Sequence, residues 1–108
     1  MITIYHNPAC SKSRAALDST EQYAQQHHLS LQVIEYLKAP LNLTELRALQ
    51  QQLGAQSTEL VREHNGLTPE QQCQILVDQP ELMQRPIIRF NDKAVIARPT
   101  EVIHTLLA

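Results

Sequence analysis

Cysteine is scarce in this chain and unclustered. There are two, Cys10 and Cys73, 63 positions apart, and neither belongs to a CxxC or CxxH group. Zinc ligands usually recur at spacings of about two to four residues, so no zinc site is expected. A structural disulfide is not expected in a reducing compartment. Adjacent His27 and His28 would face different sides of a helix, which does not suit two ligands of one ion, and no metal is expected.

A long apolar run is missing as well. Nothing approaches the roughly 18 residues that would span a bilayer, which excludes a membrane span. The N-terminus lacks a basic segment followed by an apolar stretch, so no secretory signal is expected and the cytoplasm is the default location. Basic runs are also absent, and the formal net charge is -2. Phosphate-mediated binding of nucleic acid needs clustered Lys and Arg, so nucleic acid is not an expected partner. No repeat, low-complexity tract or linker interrupts the chain.

What is present suits one α/β domain over residues 1–108. The chain has 108 residues, 43% hydrophobic and 19% charged, which is ordinary for a globular protein with a single core. Six of the nine basic residues are arginines, the fork-shaped cation suited to planar or tetrahedral oxyanions. Met1 to His6 alternates like a strand, and Ser11 to about His28 spaces Ala16, Thr20, Tyr23 and Ala24 like a helix. Leu31 to Leu37 is β-leaning again, which completes a βαβ unit with a parallel strand pair.

Helical signals follow over about 42–83. Asn42 with Glu45 resembles a capping pair before Leu43, Leu46, Leu49 and Leu53, with Gly54 as the stop. A second short helix is predicted around Leu60, Val61 and Arg62. A third starts at Thr68 and Pro69, carries Ile75 and Leu76, and is closed by Pro80. The last quarter reads as strands over Pro86–Phe90 and Lys93–Ala97, with Asn91-Asp92 as a hairpin turn, then a helix from Arg98-Pro99 with Val102, Ile103, Leu106 and Leu107 on one stripe. The order βαβ, helical insert, ββα predicts a four-stranded mixed sheet of thioredoxin-like type.

Chemistry concentrates in HNPACSKSR, His6 to Arg14. A turn leaving a β-strand places its residues at the next helix N-terminus, where unpaired N–H groups and the helix dipole favour negative charge. Cys10 falls there, with Lys12 and Arg14 close by, and that setting lowers a thiol pKa from about 8.5 toward a reactive thiolate. Pro8 fixes its own φ and holds Asn7 extended, so the sulfur is aimed. The competing role for Cys10 is that of a small buried hydrophobe, and for Cys73 packing is the expected role. Cysteine phosphatases place five residues between Cys and Arg, whereas Cys10 and Arg14 have three between them. A dithiol oxidoreductase would need a second Cys where Ser13 stands. Single-thiol chemistry remains, with the resolving thiol supplied from outside.

YHNPACSKSR, QRPII and ARPTEV, in that order, resemble the glutaredoxin-dependent arsenate reductases of the ArsC family, in particular their shorter bacterial branch. The resemblance covers nearly the whole chain as a single ArsC-type domain. It implies that the Cys10 thiolate attacks arsenate, that glutathione reduces the covalent adduct as co-substrate, and that glutaredoxin clears the mixed disulfide while arsenite leaves. No tightly bound cofactor is implied. Cys10 matches the family nucleophile, Arg85 and Arg98 its oxyanion-binding arginines, and Arg62 a third by position. His6 matches the motif histidine, with Ser13 and Arg14 as further support around the cysteine, and Pro86 is the candidate for a cis proline facing it. Converging guanidinium groups would offset the repulsion between a thiolate and an oxyanion.

The segment between His64 and Thr68 is shorter than in the longer reductases, and their C-terminal extension is missing. Two alternatives compete. One is a regulator of the related Spx type that contacts RNA polymerase, against which the serine at position 13 speaks, because Spx switches typically carry CxxC. The other is a thiol-disulfide oxidoreductase with a different substrate.

Overall fold

A computed structural model describes residues 1–64 and 66–97. The elements run β1 (Ile2–His6), α1 (Ser11–Gln26), β2 (Leu31–Glu35), α2 (Leu43–Leu53), a 3-10 segment (Gly54–Glu59), α3 (Pro69–Asp78), a short 3-10 turn (Pro80–Leu82), β3 (Ile87–Phe90) and β4 (Lys93–Ile96). The strands form one mixed sheet in the order β2-β1-β3-β4. β1 and β2 are parallel, with Ile2 opposite Leu31 and His6 opposite Glu35, while β3 pairs antiparallel with both β1 and β4. This is the thioredoxin-like arrangement expected from the strand and helix order.

The sheet separates two apolar layers. On one face Ile2, Ile4 and Ile88 meet Ala16 and Ala24 of α1. The buried stripe of α1, Ser13, Ala16, Thr20 and Ala24, is made of small side chains at helical spacing, so the helix axis lies close to the strands. On the other face Tyr5, Tyr36 and Ile87 meet Leu46, Leu49 and Leu53 of α2 and Cys73 and Leu76 of α3. Each such aliphatic side chain contributes about 1.5–3 kcal/mol on full burial. Cys73 thus packs, as expected; its thiol donates a weak bond to Gln50 Oε1 at 3.5 Å, and burial pushes its pKa up.

Local signals account for most boundaries. Capping boxes form at Asn42/Glu45 and Thr68/Gln71, each with the cap side chain accepting from the third helical N–H and the Glu or Gln side chain accepting from the cap N–H. Gly54 ends α2 at φ 61°, a conformation that glycine adopts without the Cβ clash of other residues. Asn91 and Asp92 take φ 51° and 61° in the β3–β4 turn, the left-handed pair of a two-residue hairpin.

Three expectations are corrected. The segment Leu60–Arg62 is not helical: Arg62 N–H donates to the Leu82 carbonyl at 2.7 Å and Gln84 N–H to that of Leu60 at 2.8 Å, forming a bridge between Val61 and Met83. The helical turn falls earlier, at Gly54–Glu59. α1 stops at Gln26, since His28 turns to φ 54°, and β2 stops at Glu35, whose carbonyl accepts from Lys38 and Ala39. The helix expected from Arg98 onward lies outside the described residues.

Candidate active site

The site grows from the carboxyl end of β1. Asn7 and Cys10 close a tight turn, with Cys10 N–H donating to the Asn7 carbonyl at 3.0 Å, and the Asn7 side-chain oxygen accepts the Ala9 N–H at 3.0 Å. Cys10 is the N-cap of α1, extended at φ -97° and ψ 121°, and is half-buried. Its sulfur therefore faces the N–H groups of Lys12 and Ser13, the positions that a capping side chain normally satisfies.

Competing influences act on this thiol. Partial burial is the largest and works to raise its pKa; hydrogen bonds to the thiolate from the Ser13 N–H, the Arg85 side chain and the Lys12 N–H, and the Arg85 charge, work the other way. Their sum lies below the ordinary thiol value. Cys10 and Arg85, 75 positions apart in the chain, are thus brought together. Arg85 sits just before β3 in a cis peptide bond to Pro86, as expected for that proline, and its Nε and Nη1 atoms are buried.

Ser13 proves to be an anchor. It has no solvent exposure, and its hydroxyl meets His6 Nδ1 at 2.7 Å and accepts from Asn7 N–H at 3.0 Å. One buried oxygen thus ties the end of β1 and the start of the cysteine turn to the first turn of α1. His6 is itself buried, and that burial, only partly opposed by Glu35, holds its pKa below the usual histidine value, so it is neutral at pH 7. Replacing Ser13 with alanine orphans both partners and is expected to cost about 1–3 kcal/mol, read as a lower urea midpoint at unchanged slope. Ser13→Cys, which keeps a polar atom there, is expected to lose less.

The remaining candidates divide. Arg14 is exposed and donates from Nη1 to the Pro8 carbonyl at 2.8 Å, bracing the turn from outside. Arg62 is placed by its backbone bond to Leu82, two residues from Gln84, which leads into Arg85. Its charge reaches the hydroxyl of Tyr36, as do those of Arg85 and Cys10. Arg98 lies outside the described residues.

Sequence reasoning missed Tyr36. It directly follows β2, is only 1% exposed, and its hydroxyl has no hydrogen-bond partner among the described residues. The Asn7 side chain is within interaction range of that hydroxyl but makes no bond of regular geometry to it. The available signal was topological: the residue after the second parallel strand stands beside the residue after the first. Among the described residues no group of three or more His, Cys, Asp and Glu side chains is arranged to hold a metal ion. No described helix is long and apolar enough to cross a membrane.

A thiol of lowered pKa at a helix N-terminus, with a guanidinium from the segment just before β3 beside it, stands at the edge of the sheet of a thioredoxin-like domain. The chain belongs to the ArsC family, whose model matches residues 5–106. It is similar to an arsenate reductase of Neisseria meningitidis, 35% identical over 118 aligned positions that cover 98% of this chain and 97% of the relative. The uncharacterized protein YfgD of Escherichia coli K12 is 37% identical, over 94% of this chain and 92% of that one. A solved structure from Yersinia pestis superimposes with a TM-score of 0.82 at 38% identity, covering 97% of this chain and 99% of that one.

Proposed function

We propose that this protein is an arsenate reductase that uses glutathione and glutaredoxin. The observation that carries the reading is the Arg85 side chain on the Cys10 sulfur at the N-terminus of α1, a cation set where a nucleophilic thiolate would meet a tetrahedral oxyanion. Relatives named as arsenate reductases that match end to end support the choice of arsenate.

The Cys10 thiolate attacks As(V) and forms a sulfur–arsenic bond, while one arsenate oxygen leaves, protonated, as water. Glutathione thiolate then bonds to the arsenic and displaces a second oxygen, which leaves protonated as water. A thiol of glutaredoxin attacks the glutathione sulfur, and the electron pair of the breaking bond reduces As(V) to As(III). Hydrolysis frees arsenite and returns Cys10. Over the cycle two thiols become one disulfide and arsenic gains two electrons. Arg85, with Arg62 and Arg98, stabilises the charge that builds up as the thiolate approaches the anion, and Ser13 serving structure is consistent with a resolving thiol drawn from outside. The protein would act in the cytoplasm, where glutathione is reduced.

The test is a coupled assay with glutathione, glutathione reductase and NADPH. Arsenate-dependent NADPH oxidation is expected, falling to background when glutaredoxin is left out. No arsenate-dependent rate with glutaredoxin present would end the reading.

A further inference from the structure

The mechanism above leaves Tyr36 without a task. Buried phenols ordinarily find a partner for the hydroxyl, yet this one has none among the described residues. Strands β1 and β2 are parallel and His6 lies opposite Glu35, so Tyr36 stands beside Asn7 at the carboxyl end of the parallel pair, where α/β folds receive ligands. Its hydroxyl lies within electrostatic range of Cys10, Arg85 and Arg62.

We propose that the Tyr36 hydroxyl donates a hydrogen bond to an oxygen of the tetrahedral oxyanion held at Cys10, fixing the anion between the Cys10–Arg85 pair and Arg62. The inference rests on the oxyanion reading of the site. Burial pushes the phenol pKa up, so the hydroxyl keeps its proton at pH 7 and is a donor. The sulfur is not its acceptor: the thiolate takes its hydrogen bonds from Ser13, Lys12 and Arg85, and Cys10 acts on Tyr36 only through its charge. Among the described residues, Asn7 Oδ1 already accepts from Ala9 and Ser13 Oγ bridges His6 and Asn7. With no acceptor for it among the described residues, the donor is available to an oxygen that arrives with the substrate. A buried donor without a protein partner among the described residues is destabilising, and a ligand that accepts from it recovers that cost on binding.

The experiment measures protection of Cys10 from iodoacetamide by inorganic arsenate, and by inorganic phosphate as an anion of the same shape without a reducible centre. Tyr36→Phe removes only the hydroxyl. The variant is expected to need about tenfold more of either anion for half-protection, the size of one hydrogen bond to a charged acceptor. Its melting temperature is expected to be equal or higher, and its alkylation without anion unchanged in pH profile. Equal protection of wild type and variant would overturn the role of Tyr36 while leaving the oxyanion reading intact. No protection of the wild type by either anion would remove that reading and this inference with it. A lower melting temperature would make the hydroxyl structural, and a shifted alkylation profile would assign it to the sulfur; either result overturns the proposal.

Discussion

Cys10→Ser is expected to reduce arsenate-dependent thiol oxidation to background while the protein keeps its fold. The loss is total because the reaction begins with a sulfur–arsenic bond. A serine hydroxyl stays protonated at neutral pH, and neither the helix N-terminus nor Arg85 brings an alkoxide within reach. The fold survives because serine is among the preferred N-cap residues and its hydroxyl can accept from the Lys12 and Ser13 N–H groups that the sulfur faces. Stability is therefore expected to stay within about 1 kcal/mol of wild type or to rise. The coupled assay and a thermal melt on the same preparation check both halves. Wild-type turnover in a folded Cys10→Ser protein would show that the nucleophile lies elsewhere.

Much of this site was legible because its signals are local. Cys10 as N-cap follows from a strand, an Asn-Pro turn and a helix with no early breaker, and all three are written within fourteen residues. Both capping boxes are equally local, since they depend on side chains three residues apart. The errors came where a partner distant in sequence decides the outcome. Leu60–Arg62 has apolar residues that suit a helix, but Met83, more than twenty residues later, offers a strand-like partner and wins. That pairing also places Arg62, so its position could be inferred from resemblance but not from periodicity. Ser13 was read for the thiol it does not supply. Its bonds to His6 and Asn7 became visible only once α1 was seen lying close to β1 across a stripe of small residues. Tyr36 looked like one more apolar position in a strand, and only the parallel register puts its hydroxyl at the site.

Arg85→Ala carries the other large expected effect, and its pH dependence separates two functions of one guanidinium. Arg85 hydrogen-bonds the thiolate and lowers the Cys10 pKa; in the proposed reaction it also stabilises the arriving oxyanion. Loss of the second function lowers kcat/KM by about 10²–10³, the effect of removing one well-placed oxyanion donor. Loss of the first raises the thiol pKa, because the opposing burial remains. The native thiolate forms below the ordinary thiol value, so the wild-type rate of iodoacetamide alkylation levels off at lower pH than that of a free thiol. In Arg85→Ala this midpoint moves up. The ratio of wild-type to variant kcat/KM is then larger between the two midpoints, where the wild-type thiol is the more ionised of the two, than above both, where the thiols ionise alike. Arg85→Lys returns a charge without the fork, so it should recover the alkylation midpoint more fully than kcat/KM. A ratio that does not change with pH, with an unmoved alkylation midpoint, would show that Arg85 acts on the anion alone. The thiolate would then owe its stability to the N–H groups of Lys12 and Ser13.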